Sequence, residues 1–221
     1  AIKVAMAVAD EAVAQAGVDA QFLATVFSAS NGEAANCHYL CETLASADRC
    51  VSPTRFTNSV HNAAAGYWHI AVASRAASTS LCGLDASFGA GLLEAVTQVG
   101  ATNQAVLLVA SDTPYPQPLH ATRPLLDNFG LALLLAPPWT EAMRPTRPAI
   151  AWLRLALSAA TQEGGPTPCR QASFETLRAA LPAAAGLSLL EAFAQPGRAQ
   201  RVILNCPAAL QLHIEVRQEP A

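Results

Sequence analysis

Residues 78–99 read STSLCGLDASFGAGLLEAVTQV, and this stretch limits the possible folds more than any other. Thr79, Ser80, Leu81 and Cys82 have the pattern of a short buried strand. From Ala86 onward, Phe88, Leu92, Leu93 and Val96 recur at helical spacing. The two periods meet in a strand-to-helix elbow made of Gly83, Leu84, Asp85, Ala86 and Ser87. The first turn of a helix leaves backbone N–H groups unpaired and carries partial positive charge, so an elbow of this kind favours a thiolate or an oxyanion. Gly89 and Gly91 would let another backbone pack closely on the new helix.

Three side chains at the elbow carry reactive or polar atoms, and each also has a structural use. Cys82 acts as a nucleophile only with a depressed pKa and a histidine nearby; otherwise it is a core cysteine of a strand. Asp85 is placed to cap the helix by accepting N–H groups from its first turn. The sequence puts no base beside Ser87, which favours a capping or turn role for it. His61 and Asn62 precede a run of small residues and are expected to make structural hydrogen bonds, as are His38 and His69 on helices beside Tyr39, Tyr67 and Trp68. Cys37, His38 and Cys41 share one helical turn with no second pair, which is too few ligands for zinc, and no metal or cofactor is expected.

Around the elbow the chain alternates between helical and strand periods. A helix starting at Ile2 is expected to stop at Gly17, a strand covers 22–29, and a helix covers 33–45. Residues 51–62 form a loop of turn formers feeding a helix over 63–73. The segments 105–110, 129–136 and 149–157 are further apolar strands. A proline-rich loop over 112–124 holds Tyr115, His120 and Arg123. Beyond a linker at 162–168, helices are expected at 174–181 and 187–194, and a closing strand pair at 201–206 and 210–216. The sum is an α/β layered fold with helices around a mainly buried mixed or parallel sheet. The domains are expected at 1–157 and 158–221, the second a short extension packed on the first.

Composition excludes several classes. The chain has 221 residues, is 52% hydrophobic and 13% charged, and has a formal charge of -3. It offers no basic stripe for nucleic acid and no apolar run long enough to span a bilayer. So little charge implies apolar surface buried against another subunit. The six cysteines lack metal-like pairing and are expected to be reduced core thiols in a cytoplasmic protein.

Four segments in order, SVHNAAAGYWHIA (59–71), TSLCGLDASFGAGLLEA (79–95), VLLVASD (106–112) and FGLALLLAP (129–137), resemble the N-terminal half of a β-ketoacyl synthase. More closely, they resemble the short ketosynthase-like proteins of bacterial aryl polyene and xanthomonadin-type pigment clusters, some of which are chain-length factors. The resemblance covers about residues 5–137 and implies a thiolase-like fold with a strand ahead of the first helix. It also implies a nucleophilic cysteine at the elbow, a position that falls on Asp85 here, with Cys82 one turn too early. The acyl-tunnel gate would lie near Thr54, Arg55 and Phe56, and the subunit interface near Asn62 and Gly66. A full ketosynthase supplies two histidines and a lysine from its C-terminal half. Past Pro137 this chain has only His213 and no lysine.

The resemblance therefore implies a non-catalytic partner that pairs with an active β-ketoacyl synthase, or with itself. It would shape the acyl tunnel in polyene, polyketide or fatty-acid-like biosynthesis and meet the acyl carrier protein only indirectly. The alternatives are an acyl-transfer or condensing enzyme using Cys82 or Ser87 with His61 or His120, and a purely structural scaffold subunit.

Overall fold

A computed structural model describes residues 1–138, 148–160, 164–195 and 199–218. The chain opens with α1 (Ile2–Ala16), ended by Gly17 in the left-handed conformation at φ 67°. It continues through β1 (Ala24–Ala29), α2 (Ala34–Ala45), α3 (Pro53–Thr57), α4 (Ala63–Ala71) and β2 (Ser78–Cys82), and then the long helix α5 (Ser87–Thr102). β3 (Val106–Asp112), the one-turn helix α6 (Leu119–Thr122) and β4 (Phe129–Leu135) complete the first layer set. β5 (Trp152–Ala159), α7 (Ala172–Ala180), α8 (Leu187–Phe193), β6 (Gln200–Cys206) and β7 (Leu210–Arg217) follow. The strands and longer helices lie where hydrophobic periodicity put them. The differences are short: α3 and α6 interrupt the two segments read as loops, and α4 ends before Ala73, which has φ 52°.

The strands form two sheets. The first has the order β2-β1-β3-β4, with β1, β2 and β3 parallel and β4 antiparallel to β3. The second, β5-β7-β6, is antiparallel and takes strands from both sides of residues 157/158. Of the linker at 162–168, Gln162 and Glu163 lie outside the described residues. α5 runs between the sheets, and its Phe88, Leu92 and Ala95 are fully buried with Val26 and Leu108 of one sheet and Leu204, Leu212 and Ile214 of the other. On the opposite face of the first sheet, α1 and α4 cover Phe27, Leu107 and Val109 with Ala5, Ala9, Ala65 and Trp68.

The close approach predicted for the elbow helix is present on both its faces. A methyl group at Gly89 would overlap the backbone carbonyl oxygen of Asn205 in β6, and one at Gly91 would sit 2.8 Å from Cβ of Ser28 in β1. Each is tighter than van der Waals contact allows, so only glycine lets α5 touch both sheets here.

Two expectations need correction. β2 is not a buried strand: every residue in it is exposed or half-buried, because the strand order puts it at the sheet edge. The cysteines are all free thiols, but only Cys169 and Cys206 are buried, whereas Cys37, Cys41, Cys50 and Cys82 are exposed. The cause for the first three is that α2 and the segment after it bury no side chain.

Candidate functional site

The C-terminal ends of β1, β2 and β3 and the N-terminus of α5 converge at the elbow. β2 leaves the sheet at Cys82, and a 3₁₀ turn over Leu84–Ala86 leads into α5. The residue bent into the left-handed region is Leu84, at φ 51° and 61% exposed, one position before Asp85. A bulky residue there is held against its own conformational preference. The apex of the elbow thus presents an apolar side chain with no nucleophilic atom.

Asp85 does not cap α5, whose N-cap, Ala86, has no side-chain bond. Its carboxylate instead forms an ion pair with Arg123 of the proline-rich loop, with the NH1 of Arg123 also donating to Oδ2 at 3.4 Å. The carboxylate is drawn away from the helix because a full guanidinium charge is a stronger partner than one backbone N–H. That ion pair raises the pKa of Arg123 still further above its ordinary value. Ser87 is 1% exposed. Its hydroxyl accepts from the N–H of Gly83 at 3.0 Å and lies 2.8 Å from the carbonyl of Ala29 and 2.6 Å from that of Leu84.

Cys82 and His61 are brought together. The Sγ lies 3.3 Å from Nδ1 of His61, at the mouth of a cleft of about 30 Å³ lined by Ala29, Asn31, Gly32, His61, Cys82 and Ser111. A volume of this size holds one or two water molecules. Although Cys82 is an exposed residue, partial desolvation of its sulfur and the nearby charge of Asp112 raise the thiol pKa, the reverse of nucleophile activation.

Beneath the elbow lies a network that sequence reasoning missed. Asp112, 3% exposed, accepts from the N–H of Ser30 at 2.9 Å and the N–H of Ala183 at 2.7 Å. Burial raises its pKa against the opposing pull of these hydrogen bonds and of Arg123. Ser30 Oγ meets the hydroxyl of Tyr115 at 2.6 Å, so the loop carrying Arg123 is tied to the sheet it overhangs.

The remaining candidates sit on the surface beside this centre. Thr54, Arg55 and Phe56 are all exposed on α3, with Phe56 61% exposed and the guanidinium of Arg55 4.2 Å from the centroid of the Tyr39 ring. Asn62 precedes α4 without capping it by its side chain, and a Cβ at Gly66 would meet nothing within 4 Å. His120 lies on α6 in the proline-rich loop, and its Nδ1 is buried without a hydrogen-bond partner among the described residues.

Comparison with known proteins assigns the family. Residues 2–188 match the model of the β-ketoacyl synthase N-terminal domain. The chain belongs to that family. The fold is similar to that of a chain from the complex of a ketosynthase (ApeO) with its chain length factor (ApeC) from Xenorhabdus doucetiae, with a TM-score of 0.67 and 20% identity over 97% of this chain and 76% of that one. It is also similar to the ishigamide ketosynthase/chain length factor, with a TM-score of 0.60 and 17% identity over 96% and 80% of the two chains. A third likeness is to 3-oxoacyl-(acyl carrier protein) synthase III, FabH, from Pseudomonas aeruginosa PAO1, with a TM-score of 0.52 and 15% identity over 99% and 83%. No curated protein sequence matches the chain. These likenesses make the fold thiolase-like.

Proposed function

We propose that this chain is a chain-length-factor-type subunit without condensing activity of its own, pairing with an active β-ketoacyl synthase and shaping that partner's acyl tunnel. The observation that carries the reading is the elbow. Its apex is Leu84, Asp85 is held by Arg123, and the hydroxyl of Ser87 is hydrogen-bonded within the turn, so among the described residues of the turn from Gly83 to Ser87 none presents a free nucleophile. Similarity to chains from ketosynthase/chain length factor complexes supports the pairing. So does the exposure of Phe56 at 61%, Leu84 at 61% and Ile70 at 79%, which leaves apolar side chains on α3, the elbow and α4 for a partner to cover. The reaction served is the extension of an acyl chain on a carrier protein in polyene, polyketide or fatty-acid-like synthesis, with the thioester on the partner's cysteine. Thr54, Arg55 and Phe56 are assigned to the tunnel gate, and Asn62 and Gly66 to the interface.

The test is co-expression with a ketosynthase of the same gene cluster, followed by sizing with light scattering and intact-mass analysis after incubation with acyl and malonyl carrier proteins. A one-to-one complex with acyl mass on the ketosynthase alone is expected. If Phe56 limits tunnel depth, Phe56→Ala lengthens the product; a scaffold that never touches the chain leaves product length unchanged.

A second reading rests on the 3.3 Å approach of Cys82 to His61, which is close enough for the imidazole to take the thiol proton during attack on a thioester. Stoichiometric acylation of this chain that disappears in Cys82→Ala would replace the first reading with this one.

A further inference from the structure

The second sheet has two edges, β6 and β5, and they differ in what covers them. The N–H of Ala160 donates to the carbonyl of Ala209 at 2.8 Å, one step beyond the register pair of Ala159 with Leu210. Because hydrogen-bonded and non-bonded pairs alternate in an antiparallel ladder, Arg154, Ala156 and Ser158 then spend their backbone groups on β7. β7 turns the intervening residues, Leu210 to Val216, toward β6, which leaves Ile203 of β6 facing outward. Both backbone groups of Ile203 are taken there: its N–H donates to Oγ1 of Thr167 at 2.8 Å, and its carbonyl accepts from the N–H of Thr167 at 2.9 Å. At the β5 edge the N–H and C=O groups of Leu153, Leu155 and Leu157 point away from β7, and none has a hydrogen-bond partner among the described residues. The strand also lacks what usually keeps an edge from pairing. Its sequence, WLRLALSA, has no proline, no glycine and one charge, Arg154. Residues 156–159 are all exposed, and Leu157, at the end of the row whose Leu153 and Leu155 pack on the core, is 46% exposed.

We propose that β5 pairs with β5 of a second copy of this chain, antiparallel about a two-fold axis at Leu155, so that the two second sheets join edge to edge. Unpaired backbone groups in extended conformation are matched by another strand, and the residues of β5 match their own copy. With the axis at Leu155, the three outward-facing residues meet only one another: Leu155 faces Leu155, and Leu153 of each copy faces Leu157 of the other. Every outward N–H and C=O of the three then has a partner, and the half-exposed Leu157 is covered by the other copy's Leu153. On the opposite face of the strand, Arg154 of each copy falls across from Ala156 of the other. Charge selects this register over its neighbour, because an axis at Arg154 would set two guanidinium groups directly opposite each other. Such pairing is isologous and closes at two copies. It uses no residue of α3, the elbow or α4 and is read on this chain alone, so its failure leaves the pairing with a ketosynthase intact, and failure of that pairing leaves this one intact.

The test is sedimentation velocity of the chain alone over a rising concentration series, where the wild type is expected to pass from one copy to two. Leu157→Pro removes an outward N–H from each copy and leaves the bonds of β5 to β7 in place, since Leu157 donates nothing to β7. It is expected to weaken self-association by about tenfold or more. Two substitutions at one exposed position read the register. Ala156→Lys sets a like charge opposite Arg154 of the other copy and Ala156→Glu an opposite one, so the first is expected to weaken association and the second to tighten it, each by roughly threefold or more. Circular dichroism melts establish that the variants fold, and the Ala156 pair carries the test alone if Leu157→Pro does not. A wild type that stays a single copy throughout, association that survives Leu157→Pro, or equal effects of lysine and glutamate at position 156 overturns the proposal.

Discussion

Glu175 accepts three hydrogen bonds at once: from Nε of Arg178 at 2.7 Å, NH2 of Arg178 at 2.6 Å and the backbone N–H of Cys169 at 2.7 Å. Arg178, followed by the Cys169 N–H, lowers its pKa to about 2, against about 4.3 for a free glutamate. A carboxylate with a depressed folded-state pKa contributes stability that is fully present above the unfolded value and is lost as pH falls through the folded one. The melting temperature of the wild type should therefore fall toward that of Glu175→Gln as pH drops from about 5 to about 2, and the two should differ most above that window. A constant difference between the two melts across it would show that the interaction is absent. Single side chains were the scale least legible in the sequence. Asp85 was read as a helix cap because its local spacing fits one, but its partner, Arg123, lies 38 residues away. Ser30, Asp112 and Tyr115 meet only because β1 and β3 are adjacent, which no local pattern encodes.

Elements were more legible, since hydrophobic period alone separates α5 from β3 and β4. Whether a strand is central or at an edge depends on the order in which strands assemble, which is why β2 read as buried. The elbow joins these two kinds of knowledge. Its place was fixed by a change of period, whereas its apex, Leu84, is set by the 3₁₀ turn and the hydrogen bonds of Ser87. Ser87→Ala leaves the half-buried N–H of Gly83 without that acceptor and removes the donor shared by the carbonyls of Ala29 and Leu84. An unsatisfied buried group costs about 1–3 kcal/mol, so chemical denaturation should show a loss of that order with an unchanged slope. Loss of a catalytic nucleophile, by contrast, would leave stability nearly unchanged.

At the scale of the whole molecule, the sequence pattern predicts an α/β layered fold, which the family resemblance refines to thiolase-like, but not its two-sheet arrangement, because β5 belongs to the same sheet as β6 and β7 only through register with β7. It also shows a shortage of charge without saying which surface is left uncovered. α4 separates folding from association at a single residue. Gly66 is exposed, and a Cβ there meets nothing within 4 Å, so Gly66→Leu costs the isolated chain no packing. A glycine inside a helix is less favourable than leucine by about 0.5–1 kcal/mol, so the variant should melt at the same temperature or slightly higher. If the partner ketosynthase packs on α4, the added side chain overfills that contact and weakens association, since overpacking a fitted interface costs about 1–3 kcal/mol. Sizing of the co-expressed pair, read beside the melt of the isolated chain, separates the outcomes. A stable but unpaired Gly66→Leu puts the interface on α4, whereas a stable variant that still pairs one-to-one removes α4 from the interface.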